Sequence, residues 1–444
     1  MKPEKVFLRM YNVGFGDCFL LTVQYGGGAQ RHVLFDFGST AAPARVKAGD
    51  AYLKKVAEDI RERCKDPKTG EAKLHVLVAT HRHRDHISGF ATGTGKAKKT
   101  GDIIKALNPA VVIQPWTEDP AAEPDATKAR SSATRGGKPD NKAFVGLMND
   151  LHRLADGVLQ QAMAPSVRLG AKLREDLSFL GEDNLKNDSA VKNLIEMGRQ
   201  TRAYFVRCDD KLNLQQELPG VRVTVLGPPD LTQTEAIRKE RQKDPDEFWH
   251  LASFWKMQAG AANCADAAHG PFRAQWRQKG VLPPHTRWFA ERAQSLRGEQ
   301  LLEIVRALDD QMNNTSVILL FEIGNAKLLF PGDAQIENWS YALGKEQYRK
   351  LLRDVTVYKV GHHGSLNATP KSLWKLFDNK CEHGGKNCRF KTFMSTKAGK
   401  HGSSQKGTEV PRKKLVDTLE STSELFDSRD ISVNDLCRET EIPL

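Results

Sequence analysis

Thr80-His81-Arg82-His83-Arg84-Asp85-His86 follows the apolar run Leu74, Val76, Leu77, Val78 and leads into Ser88-Gly89. The run has the length of a buried strand, so the ligand-type side chains emerge together at its C-terminal end, where sites of open α/β sheets form. Residues two apart in an extended loop point the same way. His81 and His83 can therefore grip one cation, while the turn at Asp85-His86 sends a carboxylate and an imidazole to a neighbouring position. Packing three imidazoles beside one carboxylate brings no evident structural benefit without a metal.

Upstream of this loop, Lys5–Tyr11, Cys18–Tyr25 and His32–Asp36 form an expected antiparallel meander, turning at Asn12-Val13-Gly14-Phe15-Gly16-Asp17 and at Gly26-Gly27-Gly28. Asp36 closes the third strand at the same edge as the histidines and is read as an acceptor that orients their loop. Leu53, Val56 and Ile60 have helical spacing and connect the meander to the Leu74 strand. Downstream, Ile103, Ile104 and Leu107 suggest a helix and Val111-Val112-Ile113 a strand. Residues 117 to 141, with few apolar side chains, are expected to be a mobile loop.

The span 117–312 is expected to be a mostly helical insertion with core strands near 203–208 and 221–226, serving as a lid, a dimer surface or a substrate platform, with a homo-oligomer or protein partner as its contact. His250, His269 and His285 inside it lack ligand spacing. A second sheet-like half, 313–425, opens with Asn313-Asn314-Thr315-Ser316 and the strands Val317–Phe321 and Lys327–Phe330. The latter ends in Pro331-Gly332-Asp333-Ala334, where glycine lets the backbone approach and the aspartate can bridge two cations. The strand Val355–Val360 ends in Gly361-His362-His363-Gly364-Ser365, and Thr369-Pro370 opens a helix. After the strand Phe390–Met394, the loop containing Lys397, Lys400 and His401 is suited to phosphate oxygens. Pro411–Leu419 is an expected helix, and 426–444 is read as a polar tail. Cys381, His383 and Cys388 lack a fourth zinc ligand and are read as a turn with free thiols.

Apolar content of 39% and charged content of 27% place the 444-residue chain among globular proteins, and no apolar stretch is long enough to span a bilayer. Seven dispersed cysteines and the absence of an apolar leader favour reduced thiols and a cytoplasmic location. A net charge of +12 favours a polyanionic partner, nucleic acid or another phosphorylated substrate.

With His81, His83, Asp85, His86, Asp333 and His362 in this order, the chain resembles the metallo-β-lactamase-fold hydrolases. Asn12-Val13-Gly14-x-Gly16-Asp17, Asn313-Asn314-x-Ser316, Gly332-Asp333 and Val360-Gly361-His362-His363-Gly364-Ser365 resemble, more narrowly, the hydrolase domain of the ComEC competence family. The resemblance covers about the first 115 and the last 130 residues. It implies an αββα sandwich (α+β class) with the metal site at one edge of two sheets, formed by 1–116 and 313–425. It also implies one or two divalent ions, zinc or manganese: His81 and His83 on one, Asp85, His86 and His362 on the other, and Asp333 between them. His362 is preferred to His363 as ligand because it follows the strand more directly; His363 is placed near the substrate. Many relatives carry another histidine just before the strand that starts here at Val317. Asn313 and Asn314 occupy that region instead, as contacts to metal or substrate, and an amide oxygen tilts the preference from zinc toward harder ions such as manganese.

Divalent ions held there make a nucleophile from water at neutral pH. Asp85, Asp333 and His363 are the expected catalytic residues, and Arg82, Arg84, Ser365, Lys400 and His401 the substrate-binding ones. Lys96, Lys98, Lys99 and Lys397 are further backbone contacts. The leading expectation is a metal-dependent nuclease or phosphodiesterase. The alternatives are a hydrolase of small phosphoesters, thioesters or lactams, and a scaffold with an incomplete site.

Overall fold

The computed structural model describes residues 1–94, 97–121, 187–230, 232–234, 312–365, 369–400 and 409–444, which fall in one compact unit. The chain is a mixed α/β protein built on two mixed sheets. The first contains β1 (Pro3–Tyr11), β2 (Phe19–Tyr25), β3 (Gln30–Phe35), β4 (Val76–Val78), β5 (Val111–Pro115) and β6 (Ala203–Val206). The second contains β7 (Val221–Gly227), β8 (Ile318–Ile323), β9 (Ala326–Phe330), β10 (Val357–Lys359), β11 (Lys391–Met394) and β12 (Glu424–Asp427). Each sheet begins as an antiparallel meander, β1-β2-β3 and β7-β8-β9, and continues with parallel strands. The strands expected near 203–208 and 221–226 are β6 and β7. The rest of the expected helical insertion lies largely outside the described residues.

Alternation along the strands explains the packing. Val6, Leu8, Phe19, Val33 and Phe35 from the first sheet share one core with Leu319, Phe321, Leu328, Phe330 and Phe393 from the second. Side chains of opposite parity, such as Leu20, Leu34 and Leu77, instead meet helices α1 (Gly49–Arg63), α3 (Thr100–Lys105) and α4 (Asp188–Gln200). Leu320, Leu329 and Tyr358 do the same beneath α5 (Ile336–Leu343), α6 (Glu346–Arg353), α7 (Lys371–Leu376) and α8 (Lys413–Thr422). The short helix α2 (Arg84–Ile87) lies inside the histidine motif. Both sheets are thus buried on both faces, and each fully buried aromatic or aliphatic side chain contributes about 1.5–3 kcal/mol.

The stretch read as a polar tail is structured. Cys437–Ile442 forms β13, antiparallel to β1 with Val6 opposite Ile442 and Tyr11 opposite Cys437. Its charged residues sit on the sheet edge, where Glu441 pairs with Lys5 and Glu439 with Arg9. Helices α5 and α6 were also not expected. Cys381 and Cys388 form a disulfide with a Cα–Cα distance of 5.8 Å, so they are neither free thiols nor zinc ligands, while Cys18, Cys64 and Cys208 are buried and reduced. Among the described residues, no helix is long and apolar enough to cross a membrane.

Candidate metal centre

Two strand ends from different sheets meet because the residues beneath them are stacked. Phe35, the last residue of β3, lies on Phe330, the last of β9, with ring centroids 3.9 Å apart and planes 11° from parallel. Asp36 and Pro331-Gly332-Asp333 follow directly. Backbone contacts fix the approach: Val317 N–H donates to Thr80 O at 2.9 Å, and Asp333 N–H to Ser316 Oγ at 3.2 Å. Gly332 has φ +56, and a Cβ there would lie 2.8 Å from Thr80 Cβ, so both conformation and space require glycine.

Among the described residues, three groups of potential ligand atoms result, each with all its atoms within 4.8 Å of one another: Asp85, His86, Asp333 and His363; His81, His83 and Asp85; and Asp17, Asp36 and His86. In the first, His86 Nε2 lies 3.1 Å from Asp333 Oδ2, and His363 Nε2 lies 3.0 Å from Asp85 Oδ2 and 3.6 Å from Asp333 Oδ2. In the second, His81 Nε2 is 3.0 Å from His83 Nδ1. Asp85 belongs to both and is the most exposed of the six residues, at 9%.

The third group has another character. Asp36 Oδ2 accepts from Thr80 Oγ1 at 2.7 Å and faces His86 Nδ1 at 2.8 Å, while Asp36 Oδ1 accepts from Thr80 N–H at 2.7 Å. A neutral imidazole has one N–H and one lone pair. With Nδ1–H directed at Asp36, the lone pair of His86 is on Nε2 and points into the first group. Asp36 therefore orients the ring, the position its sequence context suggested.

Electrostatics fit a cation. Asp17, Asp36, Asp85 and Asp333 are four buried carboxylates. Burial opposes ionisation of Asp85 and Asp333, but His86 and His363 outweigh it and hold both below the usual carboxylate range. Burial likewise pushes His86 and His363 down, and the surrounding carboxylates override it to raise both rings. His81, by contrast, is driven well below its ordinary value by burial and by its neighbours His86 and His83, which keeps it in the neutral, lone-pair form. Protons drawn onto His86 and His363 occupy the place of charge that a divalent ion would supply. The six residues thus fit one or two divalent ions by donor type and by charge.

Several expected site residues are placed differently. His363, not His362, joins Asp85, His86 and Asp333; the His362 backbone N–H donates to Asp333 Oδ1 at 3.1 Å, and its ring belongs to none of the three groups. Strand parity carried this signal. Val357 faces the inter-sheet core and Tyr358 and Val360 the helices, so Lys359 and the residues of its parity turn inward. Beyond β10 both histidines have positive φ, 41° and 52°. Arg82 is not available to substrate: its guanidinium is buried and bidentate on Glu118, with Nε–Oε1 2.9 Å and Nη2–Oε2 2.5 Å. Glu118 belongs to a stretch expected to be mobile. Lys397 Nζ donates to Ala42 O at 2.6 Å instead of standing open.

Arg84 and Lys400 are half-buried, and Lys98 and Lys99 exposed; His401 and Lys96 lie outside the described residues. Among the described residues, Ser365 Oγ has no hydrogen-bond partner, nor do the buried amide oxygens of Asn313 and Asn314. Asn314 Nδ2 donates to Glu337 Oε2 at 3.3 Å. Sequence reasoning gave no role to Asp17, although the glycines around it marked a tight turn. Gly16 has φ +153, and a Cβ there would fall 2.6 Å from Asp85 O. It also missed Lys359, whose ammonium is buried on Asp17, and which Asp17 and Asp333 hold above the usual lysine range despite burial.

Neither protein-family models nor curated proteins return a match to the chain.

Proposed function

We propose that the protein is a metal-dependent hydrolase of phosphodiester bonds with a metallo-β-lactamase-like αββα architecture, acting on DNA or RNA. The observation that supports this most is the convergence of Asp85, His86, Asp333 and His363 beside His81 and His83, with Asp85 common to both groups. A divalent ion bound there supplies Lewis acidity, lowering the pKa of water and offsetting charge on a phosphoryl group. The chain's own residues have separate tasks. Neutral His81, with His83, provides lone pairs; Asp36 fixes the His86 ring; Asp85 and Asp333 supply hard oxygen donors, a set that takes manganese or zinc. The unpartnered amide oxygens of Asn313 and Asn314 are candidates for a further donor to the His81–His83 group.

The overall charge of +12 favours the polynucleotide. One observation favours a small phosphoester instead: Arg82, one of the two cations flanking the histidines, is spent on Glu118. Elemental analysis of the purified protein, with cleavage assays on single- and double-stranded DNA, RNA and a cyclic dinucleotide across a salt series, tests the proposal. Nuclease activity should require manganese or zinc and its substrate binding should weaken on the order of 10³-fold from about 50 to 200 mM salt. Salt-insensitive turnover of the small substrate alone would replace the nuclease reading. No bound divalent ion and no hydrolysis with manganese supplied would remove both.

A further inference from the structure

Lys359 lies at the end of β10 with only 3% of its side chain exposed, among groups that are nearly all acceptors. Its Nζ is ion-paired with Asp17 Oδ2, donates to Gly332 O at 3.1 Å and sits 3.5 Å from Asp333 Oδ1. Asp17 in turn is 3.7 Å from His86 Nδ1 and 3.6 Å from His363 Nδ1, on the far side of both rings from the Asp85–Asp333 group. We propose that Lys359 is the resident counter-ion of the centre: a positioning residue whose ammonium takes the cation place on Asp17 and leaves divalent ions to the other two groups.

The geometry gives three reasons. A buried ammonium keeps its charge where an opposite charge matches it, and Asp17 matches it directly. The Asp17 carboxylate oxygens accept no hydrogen bond from any other described side chain or backbone group, so without Lys359 they form a buried carboxylate facing two imidazoles. By holding Gly332 O and Asp333 Oδ1 together, the same ammonium sets the direction of the other Asp333 oxygen, which faces His86 and His363. With four buried carboxylates and one lysine, two divalent ions bring the group to a net charge of +1, matched to a monoanionic diester more closely than to a dianionic monoester. This last step rests on the proposed metal chemistry; the Asp17–Lys359 pairing does not.

The test compares wild type with Lys359→Met, Lys359→Arg, Asp17→Asn and the double variant Asp17→Asn/Lys359→Met, each measured in EDTA and with manganese. In EDTA, Lys359→Met should lower the melting midpoint on the order of 5–10 °C, and adding Asp17→Asn should recover most of the loss. Manganese should raise the midpoint of Lys359→Met more than that of wild type, because the ion then supplies the missing charge. Lys359→Arg should behave like wild type in manganese stoichiometry measured by elemental analysis. If Lys359→Met fails to fold, the double variant should fold. Equal losses in EDTA and manganese, with no recovery in the double variant, would overturn the assignment. Failure of wild type to bind manganese would count against the metal reading alone, since the EDTA comparison still reads the pairing.

Discussion

His363 Nε2 lies 3.0 Å from Asp85 Oδ2 across a sequence separation of 278 residues. The two belong to strand ends of different sheets, and the contact joins the histidine loop after β4 to the turn after β10. Substitution should show which of two adjacent histidines matters. His363→Ala should cost more metal affinity than the roughly 10–100-fold that follows loss of an outer partner. His362→Ala, which keeps the backbone N–H donated to Asp333, should bind metal close to wild type. Isothermal titration with manganese separates them, and the reverse order would mean that the ligand is His362.

Asp85 is common to two candidate ligand groups, so on the proposed function Asp85→Asn should lower metal occupancy at both and abolish hydrolysis with the fold intact. Asp36→Asn acts one step further out. Its amide can present a donor to His86 Nδ1 and so favour the wrong tautomer, with an expected loss of about 10–100-fold in metal affinity. Elemental analysis and circular dichroism check both, and full occupancy in Asp85→Asn would rule out the shared-ligand arrangement.

Arg82 and Glu118 are a buried pair, with side chains 5% and 7% exposed. Breaking it from either side should destabilise the protein by about 3–5 kcal/mol, because the remaining charge is stranded. Arg82→Met and Glu118→Gln should therefore shift denaturant midpoints and also loosen His81 and His83, which flank the arginine. A rise in KM with unchanged stability and metal affinity would instead restore Arg82 to the substrate-contacting role that its sequence position suggested.

His32 and His75 give the fold an acid-sensitive point away from the candidate metal centre. Burial, with Arg9 and Arg31, pushes His32 down to about 3; burial, then His32 and Arg31, does the same to His75. The His75 ring faces donors on both sides, the His32 N–H and an Arg31 guanidinium nitrogen at 2.9 Å. The unfolded chain protonates these rings below about pH 6.5 and the folded one only near 3, so the unfolded state binds more protons in between. Stability should be unaffected by them above about 6.5 and fall as pH drops from there, by at most about 1.4 kcal/mol per pH unit and ring. Urea unfolding at several pH values should show a shallower acid-side slope for His75→Asn. An unchanged slope would contradict the assignment.

The features legible in the sequence were those with a strong local period. The β1–β3 meander, the apolar run before Thr80, and the strands ending at Phe330 and Met394 all lie within a few residues of where alternation placed them. The histidine loop carried its own spacing. What escaped was set by tertiary context. The alternating charges of Arg438-Glu439-Thr440-Glu441 mimic a solvated tail, yet suit an edge strand whose partners are Lys5 and Arg9. Arg82 reads as a substrate contact because Glu118, its partner, comes from another segment. Lys359 sits in an apolar strand, where a lysine would ordinarily be expected to point to solvent; the distant Asp17, with Gly332 O and Asp333, makes its burial tolerable.

Pairing of β1 with β13 also bears on synthesis. β1 leaves the ribosome long before β13, so its outer edge stays uncovered while the intervening segments are made, and the Asn12 amide, which donates to Ile431 O at 2.9 Å, waits with it. The nascent protein thus carries an open strand edge until β13 is made, and a chaperone that shields strand edges should raise its yield more than one that accelerates disulfide formation.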